Sequence, residues 1–166
     1  MQINTDDFLY FTNVALDGMV RIVEALGDER VNLRPAIPGA NSPYVILYHC
    51  VGCTNFWIGA LIAGRQVTRD RDAEFRAQGT VAEIVQAVRT LQKQLREDIT
   101  HVQGDQPLAY PDALLSLKAG TTRQGVQHWR QGQALMHAYE ELAQHHGQME
   151  ITRDILLKQG ASDSQR

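Results

Sequence analysis

The sequence predicts an all-α fold, a four-helix bundle with long connections. Apolar residues recur by threes and fours in four stretches, near residues 6–26, 43–63, 81–100 and 131–159. Helix start and stop signals bracket those stretches, and no segment alternates apolar and polar residues as a half-buried strand does. We read residues 1–166 as a single domain, with 160–166 as a frayed tail.

The first helix carries Phe8, Phe11, Ala15, Met19, Ile22 and Leu26 on one stripe and is closed by Gly27. Pro35, Pro38 and Gly39 interrupt the pattern; Ser42 then supplies an N-cap and Pro43 the first helical position of a second helix that ends near Gly64. The run GRQVTRDRDAEFRAQG (64–79) is charged and aperiodic, a solvated connection with room for a short turn. Thr80 and Glu83 form a capping box for the third helix, whose stripe is Val81, Ile84, Val88, Leu91, Leu95 and Ile99. Residues 101–129, with Pro107, Pro111 and Gly120, are longer than an ordinary helix connection, and such loops are often functional. The fourth helix starts near Gln131, carries Leu135, Ala138, Leu142, His145, Met149, Thr152 and Leu156, and ends before Gly160.

Composition narrows the function. A net charge of -3, with both signs scattered, offers no basic stripe for a phosphate backbone, so no nucleic-acid partner is expected. Neither a signal-like N-terminus nor a membrane-length apolar run is present, so the expected location is cytoplasmic, away from membrane. Cys50 and Cys53 form a C-x-x-C, but inside a helical pattern with no strand before it, which fits small core thiols better than a redox pair. A chain of 166 residues buries a core without a metal staple.

Polar residues nevertheless fall where the core belongs. His145 sits in the middle of the last apolar stripe, and Glu141, one turn earlier, shares its face. His49 is flanked on its own face by Val45, Ile46, Cys53, Phe56 and Ala60. Unpaired, these groups are costly to desolvate, which leaves a mutual hydrogen-bonded network or a divalent metal ion as explanations. Two imidazoles and one carboxylate suit zinc, nickel, iron, cobalt or manganese, with positions left open for water or substrate.

The stretch MHAYEELAQHHGQMEITRD (136–154) resembles the last-helix signature of the DinB-like (YfiT-like) superfamily. Leu33-Arg34-Pro35, Gly39-Ala40-Asn41-Ser42-Pro43 and Ile46-Leu47-Tyr48-His49 are similar to its entry into the second helix. The resemblance implies a four-helix bundle that pairs as a homodimer and binds a divalent metal, zinc or nickel foremost, through His49, Glu141 and His145. Glu141 stands where many relatives carry histidine, which resembles the actinobacterial branch that includes mycothiol-dependent maleylpyruvate isomerase. His137 and Cys53 are then supporting groups around the ligands, and His146 a flank residue. His128, Trp129 and Arg130 fall at the mouth of the site, and Trp57 at a bundle edge. Leu47, Trp57 and Leu61 are spare apolar positions for a dimer face. The implied function is a metal-dependent S-transferase or isomerase, of use in detoxification, that joins a small thiol such as mycothiol or bacillithiol with an electrophile. No catalytic residue is assigned. The alternatives are a metal-dependent hydrolase and a non-catalytic metal-binding or stress-related protein.

Overall fold

The computed structural model describes residues 4–116 and 125–163, with side chains for all of these but 101, 116 and 160–163. Helix α1 spans Thr5–Arg30, α2 Pro43–Thr54, α3 Arg71–Glu74, α4 Val81–Asp98 and α5 Gln131–Asp163. A π-helical turn, Asn55–Ala60, extends α2, and short 3-10 turns follow α4 and precede α5. Among the described residues there is no β-strand, only an isolated bridge between Pro107 and Arg130. The fold is the predicted all-α bundle: α1 packs on α5 and α4, and α2 packs on the same two helices.

The caps behave as their residues demand. Ser42 Oγ accepts from the Val45 N–H, with Pro43 in the first turn. The Thr80–Glu83 capping box closes both ways, and the Asp28 carboxylate accepts from the Val81 N–H at 2.6 Å, tying the end of α1 to the start of α4. Gly27 breaks the regular helix (φ 65°, ψ 176°), yet the chain resumes helical geometry to Arg30 instead of stopping. Gly160 does not end α5, which runs to Asp163.

The core is filled by Leu16, Met19 and Val20 of α1, Leu47 of α2, Phe56, Ile58 and Leu61 beyond it, Ile84, Leu91 and Leu95 of α4, and Leu142 and Met149 of α5. Three expectations need correction. Phe11, assigned to the buried stripe of α1, is 53% exposed. Leu47, Trp57 and Leu61 are not spare apolar positions but buried core, because α2 and the turns after it are apolar on most of their circumference and are enclosed except around Tyr48. Trp57 is likewise no edge residue. The apolar side chains that do face outward include Tyr10, Phe11 and Val14 of α1 and Met136 of α5.

The long 101–129 connection is clipped to the start of α5. The Leu108 N–H donates to Trp129 O, the Gln131 N–H to Gln106 O, and Gln131 Oε1 accepts from the Gln103 N–H. Gly120 lies outside the described residues. Among those described, no helix is long and apolar enough to cross a membrane.

Candidate metal centre

His49 lies in the second turn of α2 and is buried. Its Nδ1 is 2.8 Å from Glu74 Oε2; an ionised carboxylate only accepts, so Nδ1–H donates, and in the neutral imidazole Nε2 keeps its lone pair. Glu74 reaches this position from α3, whose start is capped by Asp70 accepting from the Ala73 N–H. A Cβ on Gly52, one turn of α2 away, would collide with the Glu74 carboxylate, so the glycine forms its seat. Arg69 donates to both Glu74 oxygens, at 2.8 and 3.1 Å, and its guanidinium lies over the Phe56 ring. Phe75 stacks beneath the imidazole, 5.4 Å between centroids. Burial opposes the charge on Glu74, but the hydrogen bonds from His49 and Arg69 outweigh it and the carboxyl pKa is lowered. For His49, burial works downward, while Glu141 and Glu74 outweigh it and raise the pKa.

The long helix α5 brings the other side. His145 Nε2 and His49 Nε2 each stand 3.6 Å from the same oxygen, Glu141 Oε2, and the two rings are nearly perpendicular, 5.2 Å apart. His145 Nδ1–H donates to Gln148 Oε1 at 2.8 Å, which again leaves Nε2 as the free donor atom. The side chains of Glu141 and His145 are about a quarter exposed, so the centre opens to solvent here. The neighbouring His145 and His49 imidazoles outweigh burial and hold the Glu141 carboxyl well below the usual carboxylate range.

His49, Glu141 and His145 are thus brought together, and a 3.6 Å separation is beyond hydrogen-bonding range. Ligands about 2.0–2.1 Å from a tetrahedral zinc lie roughly 3.3–3.4 Å from one another, close to the spacing of each imidazole from Glu141. The donor atoms that all lie within 4.8 Å of one another are those of His49, Cys53 and Glu141; His145 stands outside that group and reaches the centre through Glu141. Burial pushes the Cys53 thiol up to about 12 and the fully buried Cys50 thiol well above its ordinary value.

His137 stands one turn before Glu141, its Nε2 3.9 Å from Glu141 Oε1 and its Nδ1 3.3 Å from Glu140 Oε2. Its ring sits edge-on to Trp57 and Trp129, which stack on each other at 5.5 Å. Of the three residues expected at the mouth, Trp129 forms this wall, whereas His128 and Arg130 are exposed. His146 turns to α1 and lies over Gly18, where a Cβ would strike its ring. Sequence reasoning missed Glu74 and Arg69 altogether, because both lie in the charged connection taken for solvated chain.

The chain is thus an all-α bundle with an imidazole–carboxylate cluster between α2 and α5, closed on one side and open on the other, and the family whose model it matches is DinB-like. The family model described as mycothiol S-transferase matches residues 8–157, and the chain belongs to that family. Membership carries a thiol-dependent transferase role and a small-molecule thiol as substrate. No curated protein and no solved structure matches the chain.

Proposed function

We propose that this protein is a metal-dependent S-transferase that joins mycothiol to a small electrophile, with His49, Glu141 and His145 holding a divalent ion, zinc or nickel. The observation that carries the reading is the convergence of two imidazole Nε2 atoms on one carboxylate oxygen, each at 3.6 Å, in a chain of a thiol-transferase family. Neutral imidazoles and an ionised carboxylate are the donor set a borderline ion takes.

A bound divalent ion supplies Lewis acidity that lowers the pKa of a thiol sulfur. The chain's own groups do the rest. Glu74 fixes the His49 ring by its Nδ1–H, and Gln148 does the same for His145. The quarter-exposed side chains of Glu141 and His145 form the side from which the thiol enters. The partly exposed Trp129, backed by the buried Trp57, offers an apolar surface for an electrophile. His137 directs Nδ1–H to Glu140 and keeps Nε2 to accept the thiol proton. The sulfur bonds to the electrophilic carbon and the leaving group departs with the bonding pair.

The test is metal analysis of the purified protein together with conjugation of mycothiol to monochlorobimane. Chelation is expected to abolish the rate over background, and zinc or nickel to restore it. Equal rates in chelated and reconstituted protein would refute the metal's role. Metal-dependent ester hydrolysis without conjugation would assign water as the nucleophile instead.

A further inference from the structure

We infer that Cys53 is a fourth protein ligand of this centre, so that the ion is held by a mixed nitrogen, oxygen and sulfur set. The inference rests on the ligand reading just proposed and adds to it, the substrate thiol then taking a fifth position on the quarter-exposed side of Glu141 and His145. Cys53 follows His49 by one turn of α2, which puts the thiol on the imidazole's own face, and it is 3% exposed. Its Sγ lies within 4.8 Å of ligand atoms of both His49 and Glu141. Nitrogen at about 2.0–2.1 Å and sulfur at about 2.3 Å from a tetrahedral ion stand roughly 3.3–3.7 Å apart, so closure needs a shift of about an ångström. Rotation about the single side-chain torsion of cysteine supplies movement on that scale.

Burial, with the charges of Glu141 and Glu74, opposes a sulfur anion before an ion binds, and the Arg69 cation offsets part of this. Charge balance around a bound dication favours the thiolate. Arg69 and Glu74 neutralise each other, so Glu141 alone would leave a dication half balanced at a largely buried site. A Cys53 thiolate completes the balance, its proton leaving to solvent as the ion enters. Cys50 does not qualify despite equal burial: it is one residue from His49, about 100° round the helix, and stands outside the three-donor group. A sulfur ligand also tilts preference toward zinc over manganese or iron.

Cobalt(II) reports this directly. The full chain, reduced with a phosphine so that its cysteines are the sole sulfur donors, is titrated with cobalt and its absorption followed. Wild type is expected to show visible ligand-field bands and a near-ultraviolet sulfur-to-cobalt charge-transfer band. Cys53→Ser should keep the visible bands, lose the charge-transfer band and bind zinc at least about tenfold more weakly. Cys50→Ser should retain both bands. Cys53→Ala serves where the serine variant folds poorly, and the wild-type spectrum stands without either. Cobalt bound with ligand-field bands but no charge-transfer band in wild type, or a band that survives in Cys53→Ser, overturns the inference while the three-ligand reading stands. A wild-type chain that binds neither cobalt nor zinc overturns both.

Discussion

The two sides of the cluster are built differently. On the α2 side His49 is buried, stacked on Phe75 and held by a carboxylate that is itself held by two guanidinium hydrogen bonds. On the α5 side Glu141 and His145 are a quarter exposed, and the single side-chain partner of His145 Nδ1 is the exposed Gln148. One half is a fixed wall whose geometry belongs to the fold. The other is a face that a substrate can approach, and its residues can be changed without disturbing the core.

That contrast breaks most readily at Glu74. Glu74→Ala leaves His49 and the Arg69 cation without their shared partner, and we expect a loss of about 3–5 kcal/mol in chemical denaturation, the usual result of breaking a buried pair. Zinc affinity should fall with it by about 10- to 100-fold, as for other groups that orient a ligand. An unchanged denaturation midpoint would show that the two sides are equally tolerant. Glu141→Ala or His145→Ala should do the reverse: zinc affinity drops by more than about 100-fold, beyond what supporting groups cost, while the helical circular dichroism of the metal-free chain is retained. Equal metal content in these variants and wild type would end the ligand assignment.

Smaller substitutions sharpen the same contrast. Gly52→Ala drives a methyl group into the Glu74 carboxylate and should destabilise by about 1–3 kcal/mol, as overpacking does. Gln148→Ala, on the open side, should alter stability by no more than about 0.5 kcal/mol. A Gln148→Ala variant as unstable as Gly52→Ala would mean that the α5 side is also part of the fixed wall.

Legibility in the sequence followed the same division. Ser42-Pro43 and the Thr80–Glu83 box announced their helices, because caps are local chemistry. His49, Glu141 and His145 were visible as polar residues on apolar stripes, and the resemblance grouped them. Glu74 was not, since in RDRDAEFRAQ it is one charge among many and only tertiary contact with Arg69 and His49 makes it a buried residue. The π-helical turn at Asn55–Ala60 was equally hidden, for it is a shift of hydrogen-bond register, with the Leu61 N–H donating to Phe56 O, that leaves the apolar pattern intact. The burial of Leu47, Trp57 and Leu61 was readable and misread: a stretch this apolar leaves little surface to spare.

Glu74 belongs to a helix of only four residues, Arg71–Glu74, and so the wall behind His49 is made of a segment too short to be stable alone. Each local opening of that segment unhooks His49 Nδ1 and lets the ring turn. An ion that needs the ring fixed binds the closed form and suppresses the opening by mass action. Amide exchange at Arg71–Glu74 therefore becomes a meter of occupancy, slowing as zinc is added although no amide of that helix touches the ion. Exchange there that ignores zinc would mean that the segment and the centre are thermodynamically separate.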